Sequence, residues 1–566
     1  MDFVLALHSH VPLVLRHGRW PHGSDWLCEA VLDSYLPLIE KLGELAARVV
    51  RCPVTLGLSP VLANQLADPA FGAEFDAFVL QRLEACREAR RTLPETGDQA
   101  LLPLVDFWEA RIQRLRSLFE TGGRNLVASL ARLQVAGGLE LMTCAATHGH
   151  LSLLGRDESI RLQLGVAAAE HQRLFGRASA GCWLPECAYR PRGPWAPPGA
   201  PHPGQRAGTE EYLAAAGFRW FFTDAHLAQA GSALGGYADA PGGVEGPEAG
   251  RSGATRPRGA GAQRTPYRAY LVGPGTASGR VAVLVRDPRS SMQVWNRDLG
   301  YPGDGWYLEF HKIRWPGGLK LWRVSAPRSD LGAKRPYDPA AALAQTALHA
   351  SHFASLLGSI GAGGDGDGIV AAPFDTELFG HWWFEGVDFL AAVYRNLGNG
   401  RGVRPVTASE HLAAHPPHVA IELAPGSWGD GGDDRMWLNP KTAWTWQRLW
   451  PLEDRFWNVA PAVLAVPEAR PVLAQAAREL LLAQASDWQF IISTGAVADY
   501  GAARFSLHAA DAELLVGLLE ETVRGSVIPE QARRITEELQ RRDTLFPDVL
   551  AQVAGVIERG RVGAAA

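Results

Sequence analysis

The segment IVAAPFDTELFGHWWFEG, residues 369–386, joins a short apolar run to an acidic residue and then to a group of aromatic side chains. The run Ile369–Ala372 has the length and composition of a buried strand. Asp375 comes shortly after it, at the point where the strand should end. The residues that flank this acid are largely aromatic, namely Phe374, Phe379, Trp382 and Trp383. The segment therefore predicts a strand that ends in a chemically useful carboxyl group.

Two roles are open for Asp375. Burial among aromatic rings would raise the pKa of its carboxyl group, as a general acid requires. The alternative is an N-cap of the helix that follows, with Glu377 in the first turn. The two roles do not exclude each other.

Six further segments repeat this form, an apolar run followed by polar or aromatic residues. They are FVLAL (3–7) before HSH, VTLGLS (54–59), LELMT (139–143), AGCWLPE (180–186), FRWFFTD (218–224) and VAVLVRD (281–287). Helical spacing over 30–50 and 101–133 separates some of them, which predicts a parallel α/β barrel of about seven strands. Barrel enzymes build their sites at the carboxyl ends of strands, where these polar residues fall.

The pattern changes twice along the chain. Residues 188–265 are rich in Pro and Gly and predict an inserted subdomain within a catalytic barrel of residues 1–410, in which residues 235–263 form a loop that is low in apolar residues. Residues 411–566 predict a helical C-terminal domain, because apolar residues recur with helical spacing over 468–485, 511–524 and 530–542.

Composition limits the classes of partner. The net charge of -5 gives no basic field for nucleic acid or an anionic membrane, so a neutral partner is expected. The start lacks a basic, apolar leader and no apolar run reaches 18 residues. The 6 cysteines form no CxxC pair, which is typical of reduced thiols in a cytoplasmic protein.

Glu186, in WLPECAYRP (183–191), is the second acidic candidate. Trp183, Pro185 and Tyr189 should partly desolvate it, although a surface ion pair with a nearby arginine is the bland alternative. Two carboxyl groups at the ends of different strands match glycosyl transfer, in which one acts at the anomeric centre and the other protonates the leaving oxygen.

Tryptophan is unusually common, with 19 Trp against 4 Met. Its flat ring suits cores and also stacks on the apolar faces of sugars. Arg286 and Trp295 fall in a predicted sugar-binding loop, and ligand stacking is favoured over packing for Trp428 and Trp437 in a Gly- and Asp-rich loop. Trp488 continues a helix, so simple burial explains it equally well.

The pair His8 and His10 in HSH offers a competing interpretation, because His-x-His at the end of a first barrel strand also begins metal sites. Further ligands are available in principle at His148, His150, Asp224, His226 and Asp287. None of these residues forms a close HxxxH or HxxE motif, and the richest segments carry tryptophan instead. Hydrogen bonds to sugar hydroxyls or to a nucleophile are therefore favoured, and no metal or cofactor is expected. No GxGxxG motif follows a predicted strand, and neither GxxxxGK(S/T) nor GxSxG is present, so the nucleotide-binding and serine-hydrolase interpretations lack their usual motifs.

Taken together, five motifs resemble glycoside hydrolase family 57, and within it the branching members, across nearly the whole chain. They are HSHVPL (8–13), LELMTCAATHGH (139–150), GCWLPECAYRP (181–191), APFDTELFGHWWFEGVDF (372–389) and ASDWQF (485–490). The resemblance implies a (β/α)7 barrel with a small insertion and a helical C-terminal domain.

The same resemblance implies roles for single residues. Glu186 would be the nucleophile and Asp375 the general acid/base of a retaining mechanism, with no cofactor. The substrate-binding residues would be His10, His148, Arg286, Trp295, Trp382, Trp428, Trp437 and Asp487. The implied activity cuts an α-1,4-glucan donor and transfers the chain to a 6-hydroxyl of an acceptor glucan. The alternatives are an α-1,4-glucan hydrolase, a 4-α-glucanotransferase, a non-catalytic glucan-binding protein and a metal-dependent hydrolase or deacetylase.

Overall fold

The computed structural model describes residues 1–19, 22–199, 203–230, 264–273, 280–296, 300–326, 329–362, 368–398, 402–525, 528 and 530–565 of the 566-residue chain. The predicted loop at 235–263 lies outside these residues. No helix in the described part of the chain is long and apolar enough to span a bilayer.

Each of the seven segments predicted as strands contains a strand. The strands are β1 (Asp2–Ser9), β2 (Val54–Leu58), β3 (Leu139–Cys144), β4 (Cys182–Trp183), β5 (Gly193–Trp195), β6 (Gly204–Arg206), β7 (Trp220–Thr223), β8 (Tyr270–Val272), β9 (Val281–Val285), β10 (Ile369–Asp375) and β11 (Arg404–Pro405). The four that were not predicted, β5, β6, β8 and β11, are two or three residues long.

Helices follow most of the predicted strands and fill the C-terminal region. They are α1 (Ser24–Ala30), α2 (Leu36–Ala47), α3 (Pro60–Ala67), α4 (Pro69–Glu95), α5 (Leu102–Thr121), α6 (Leu126–Val135), α7 (Asp157–Phe175), α8 (Thr209–Ala215), α9 (Pro288–Trp295), α10 (Pro339–Ala362), α11 (Gly386–Leu397), α12 (Ala408–Ala414), α13 (Ala443–Val463), α14 (Arg470–Ala483), α15 (Ser486–Thr494), α16 (Ala498–Val523), α17 (Glu530–Arg542) and α18 (Val549–Ala565).

The chain forms two compact units, and neither is continuous in sequence. The first contains Met1–Leu58, Leu62–Met142 and Asp287–Pro416, and the second contains Ser59–Val61, Thr143–Arg286 and Pro417–Ala566. The boundary between Met142 and Thr143 falls within strand β3. Each unit is formed by segments that lie far apart in sequence.

Parallel pairing organises the first unit. Strand β1 lies between β10 and β2, β2 pairs in turn with β3, and the short β11 also pairs with β1. All eight residues of β1 are buried, which is typical of a parallel strand that is covered on both faces. Phe3 of β1 packs against Phe353 of α10 at a ring separation of 6.2 Å, so helix α10 provides part of the cover.

The second unit continues the parallel pattern and adds the helical region. The last two residues of β3 pair with β4, and β7 pairs in parallel with β9. Gly181, just before β4, forms a parallel bridge with Trp220 of β7. The helices α13 to α18 follow Pro417 with no strand among their described residues, so the predicted helical C-terminal region is confirmed.

Two predicted helical stretches differ in detail from the observed helices. The stretch of helical spacing at 101–133 contains two helices, α5 and α6, because Gly123 adopts a positive φ of 79° that ends the first one. The predicted helix at 511–524 begins earlier, at Ala498, because its apolar face extends back to Phe505 and Gly501.

Candidate active site

Glu186 lies directly beyond β4, in a short turn formed by Pro185–Cys187. Its backbone is left-handed, with φ 61° and ψ 20°, and Cys187 follows with φ 49°. Non-glycine residues rarely adopt this region, and strained backbone concentrates at functional sites where the surrounding structure holds it. The turn thus fixes the direction of the Glu186 side chain, although its backbone conformation is unfavourable in free energy.

The Glu186 carboxylate is buried and accepts hydrogen bonds at both oxygens. The indole Nε1–H of Trp428 donates to Oε2 at 3.0 Å, and the Ser486 hydroxyl donates to Oε1 at 2.9 Å. Glu186 is only 8% exposed. Donors aimed at both oxygens stabilise the ionised form of a buried carboxylate and fix its orientation.

His148 completes this side of the cluster. Its Nδ1 lies 2.9 Å from the Ser486 hydroxyl and 3.6 Å from Oε1 of Glu186, and its backbone is also left-handed, with φ 60°. A serine hydroxyl has one proton. When Ser486 donates that proton to Glu186, it must accept from Nδ1–H of His148, which assigns the proton of the neutral imidazole to Nδ1.

The loop that carries Trp428 is tied back to the Glu186 turn. The Trp428 backbone N–H donates to the Glu186 carbonyl at 3.0 Å, and the Trp428 ring lies 5.2 Å from that of Trp183. Glycines make this fit possible. A Cβ on Gly426, whose φ is 147°, would lie 2.3 Å from a backbone oxygen, and one on Gly429 would lie 2.6 Å from the Trp437 ring. The Gly-rich composition of the loop is therefore a packing requirement.

Arg286 is buried rather than presented to solvent. Its guanidinium lies over the Trp428 ring at 5.5 Å and forms an ion pair with Asp224 at 3.1 Å. Asp224 also contacts His226 at 3.2 Å. Burial alone would raise the pKa of Asp224, but the neighbouring His226 and the charge of Arg286 lower it overall. Arg286 thus holds Trp428 in place, and its predicted contact with sugar stays a prediction.

Trp437 is fully buried, so its ring belongs to the core of the second unit. It packs against His150 at 4.9 Å and against Phe490 at 6.5 Å. In this arrangement Trp437 supports the neighbouring loop, and the predicted contact with a glucan stays a prediction. Trp488 is likewise fully buried, which confirms simple burial for that residue. Asp487, in the first turn of α15 directly after Ser486, is partly exposed.

Asp375 ends β10 in the first unit, beside His8 in the parallel register with β1. Its carboxylate is partly exposed and makes no capping hydrogen bond to the 3-10 turn that follows. Asp375 thus stands at the N-cap position with Glu377 in the first turn, as the alternative predicted, but its side chain does not cap the turn. The carboxyl group predicted to act as an acid lies at the end of its strand as expected.

The buried carboxyl group next to this position is that of Glu377. It accepts hydrogen bonds at Oε1 from the Tyr35 hydroxyl and, at 3.2 Å, from the His10 backbone N–H. Burial raises the pKa of Glu377 to about 7, against the opposing effect of these donors. Glu377 therefore links the ends of β1 and β10, where His10 and Asp375 lie.

Two tryptophans predicted to bind substrate lie together in the first unit. The rings of Trp295, at the end of α9, and Trp382 are 6.4 Å apart. Trp382 is 43% exposed, and Trp295 is partly exposed. An exposed aromatic pair of this kind offers an apolar surface for sugar rings.

The sequence did not identify Ser486, nor the hydrogen bonds that Glu377 accepts from Tyr35 and His10. Ser486 stands beside the predicted Asp487 in the ASDWQF motif, so the motif pointed to the right place but to the neighbouring side chain. Asp224 and His226 were considered only as metal ligands, whereas the structure pairs them with each other and with Arg286.

Groups that could hold a metal occur within each unit. One is Asp2, His411 and His415, and another is Glu479, His508 and Asp543. Arginines already pair with both, since Arg404 donates to both oxygens of Asp2 and Arg542 lies 2.6 Å from Asp543. A guanidinium beside a carboxylate opposes cation binding, so the residues fit ion-pair networks better than metal sites.

Known proteins share this architecture. Residues 4–424 match the protein family described as "Glycosyl hydrolase family 57", and residues 453–553 match the domain family described as "1,4-alpha-glucan branching enzyme, C-terminal". A 1,4-alpha-glucan branching enzyme of Thermococcus kodakarensis is 36% identical over 551 residues, which cover 96% of this chain and 77% of that protein.

Solved structures are similar over almost the full length. The crystal structure of a branching enzyme of the same family from Pyrococcus horikoshii superposes with a TM-score of 0.85 at 36% identity, covering 98% of this chain and 96% of that one. An α-amylase from Thermotoga maritima gives a TM-score of 0.75 at 26% identity, covering 97% and 99%.

Proposed function

Since the chain belongs to glycosyl hydrolase family 57, we propose that it is a 1,4-α-glucan branching enzyme. The observation that carries the proposal is the buried Glu186 carboxylate, which accepts hydrogen bonds from Trp428 and Ser486. Ser486 belongs to the segment 453–553 that resembles the C-terminal part of branching enzymes. The hydrogen bond from Ser486 thus joins the proposed nucleophile to the segment that matches the branching-enzyme C-terminal description.

The proposed reaction has two displacements. In the first, Glu186 attacks the anomeric carbon of an α-1,4-linked glucosyl unit while Asp375 gives its proton to the leaving O4. The glycosidic bond breaks, the reducing-side fragment leaves, and a covalent glycosyl-enzyme remains. In the second, the Asp375 carboxylate takes the proton of an acceptor 6-hydroxyl as O6 attacks the anomeric carbon. Glu186 is released, and the new α-1,6 linkage retains the anomeric configuration.

Several residues assist these steps in the proposal. Trp428 and Ser486 hold the Glu186 carboxylate in one orientation, and His148 fixes Ser486. Trp295 and Trp382 stack on glucosyl rings, while His10 and Asp487 bond their hydroxyls. Transfer requires that a positioned hydroxyl compete with water, and an aromatic surface favours the glucan over water.

The finer architecture is part of the same proposal. We assign a (β/α)7 barrel to residues 1–410, an insertion to residues 188–265 and a helical domain to residues 411–566. The seven strands predicted from the sequence, β1, β2, β3, β4, β7, β9 and β10, all take part in parallel pairing, as does the two-residue β11, and this pairing supports the assignment. A cytoplasmic location is supported by the cysteines, because all six are buried free thiols.

The test is incubation of the purified protein with amylose, followed by proton NMR of α-1,6 against α-1,4 linkages and a reducing-end assay. New α-1,6 signals with little gain in reducing ends are expected, and Glu186→Gln should abolish them. A protein that produces neither α-1,6 signals nor reducing ends would contradict the proposal.

Hydrolysis is the second candidate function. The specific observation in its favour is the similarity to the Thermotoga maritima α-amylase over nearly both chains. In that case the same assay would show reducing ends that depend on Glu186 and no α-1,6 signals. The ratio of the two products therefore decides between transfer and hydrolysis.

A further inference from the structure

A cleft of about 620 Å³ opens on the second unit and shares no lining residue with the Glu186 cluster. It is lined by the start of α7, by the β5–β6 ribbon and by Arg559 and Gly560 of α18. Sites for small molecules measure roughly 300–1,000 Å³, so this cleft has room for a short oligosaccharide.

Trp195, at the end of β5, provides a fixed aromatic wall. The guanidinium of Arg206 lies 3.9 Å from the centre of its ring. Arg206 is itself buried and donates to Asp157 at 2.9 Å and to the carbonyls of Leu154 and Gly155 at 2.7 and 2.8 Å. Because these bonds hold the guanidinium, the indole is positioned before any ligand arrives.

The remaining wall of the cleft mixes apolar and polar groups. Ala196 and Pro197 continue the apolar surface of Trp195. Asp157 and Glu158 offer acceptors, while the exposed Gln205 amide offers both donors and an acceptor. An apolar face bordered by such groups suits a glucosyl ring, which has an apolar face and a rim of vicinal hydroxyls.

Most arginines of the cleft already lie beside carboxylates. Arg156 pairs with Glu158 at 3.0 Å and with Asp454 at 3.1 Å, and Arg206 pairs with Asp157 at 2.9 Å. Arg161 also lies 3.9 Å from Asp157, so three of the four arginines that line the cleft have a carboxylate partner, and Arg559 is the fourth. A site for a phosphorylated ligand would instead keep its guanidinium groups for the anion.

We propose that this cleft binds a segment of an α-1,4-glucan chain at a second site, separate from the one that carries Glu186. The proposal takes its ligand class from the proposed function. A second site holds a long chain close to the enzyme between catalytic events, because binding at one site raises the effective concentration of the chain at the other. Long glucans would therefore be retained more strongly than short ones.

The test is native electrophoresis in gels that contain glycogen, with Glu186→Gln as the parent so that the polymer is not altered during the run. Adding Trp195→Ala should weaken retention at least three-fold. Trp444→Ala is the matched control, since it removes an indole that is 38% exposed on α13, and it should leave retention unchanged. Gln205→Ala, a change at an exposed position, should weaken retention in the same direction and serves if Trp195→Ala fails to fold.

Each outcome separates the two proposals. Equal retention of the parent, Trp195→Ala and Gln205→Ala variants would overturn the second site, whether or not the wild-type protein makes α-1,6 linkages. Retention that depends on Trp195 in a protein that makes no α-1,6 linkages would support the second site and contradict the branching function alone.

Discussion

The indole N–H of Trp428 donates a 3.0 Å hydrogen bond to Oε2 of Glu186, although the two residues are 242 positions apart in the chain. The bond connects a turn at the end of a parallel strand to a loop that precedes the C-terminal helices. A residue that resembles a sugar-stacking tryptophan in sequence thus acts on the carboxylate itself.

Trp428→Phe keeps an aromatic ring, removes this donor and also removes part of the buried ring surface. A hydrogen bond to a charged group contributes about 1.5–3 kcal/mol, so we expect kcat/KM for branching to fall roughly 10- to 100-fold. Rates of α-1,6 formation and the melting temperature should be measured together. A rate close to that of the wild type would mean that Oε2 does not depend on the indole.

Ser486→Ala removes the bridge between Glu186 and His148. Oε1 of Glu186 loses a donor that fixes its orientation, so the rate of α-1,6 formation should fall about 10-fold. Ser486→Thr keeps the hydroxyl and should restore the rate. A lower melting temperature with an unchanged rate would show that the hydroxyl serves packing alone.

Trp382→Ala removes the exposed half of the aromatic pair with Trp295. We expect the ratio of transfer to hydrolysis to fall several-fold, because the acceptor glucan loses a surface that competes with water. Stability should change by less than about 0.5 kcal/mol, as is usual for exposed positions. Trp444→Ala controls for the loss of an exposed indole elsewhere and should leave the product ratio as it is.

Glu385 makes stability depend on pH. Its Oε1 accepts from the Leu308 N–H at 3.0 Å and the Tyr337 hydroxyl at 2.7 Å, whereas Oε2 has no hydrogen-bond partner among the described residues. Burial raises the pKa of this carboxyl from 4.5 to about 7. The folded chain therefore holds a proton that the unfolded chain releases between these values, and the free energy of unfolding falls as pH rises through this window.

Glu385→Gln removes that titration. Between pH 5 and pH 8 the melting temperature of the wild type should fall relative to that of the variant. The corresponding loss in the free energy of unfolding is about 3 kcal/mol at most, since one pKa unit corresponds to about 1.4 kcal/mol. Glu84→Gln, at an exposed position of α4, should follow the wild-type curve. Parallel curves for wild type and Glu385→Gln would show that the carboxyl titrates alike in both states.

The strands could be predicted from local sequence because each one is marked by a short apolar run that ends in polar residues. The runs before His8, Glu186, Asp224, Asp287 and Asp375 each change from apolar to polar where the strand ends, and the structure contains strands at all of these places. The helical region after residue 411 was predictable for the same reason, since apolar spacing reports one buried face.

Contacts between distant segments were not predictable in this way. Nothing near Glu186 indicates that Ser486, 300 positions away, donates to it. The burial of Arg286 and Trp437 is likewise set by which loops meet, so residues that looked suited to bind sugar lie within the protein. The positive φ of Glu186 comes from the same long-range packing and has no local signal of its own.

The interleaving of the two units sets an order for synthesis on the ribosome. The first unit needs residues up to Pro416, so it stays incomplete while the intervening Thr143–Arg286 is translated, and the second unit needs segments beyond Pro417. Domains ordinarily fold one after another as the chain emerges. Here the early strands pair with segments that are translated much later, so apolar surface stays exposed for a long period during synthesis. We therefore expect a need for chaperones during synthesis and aggregation of truncated fragments.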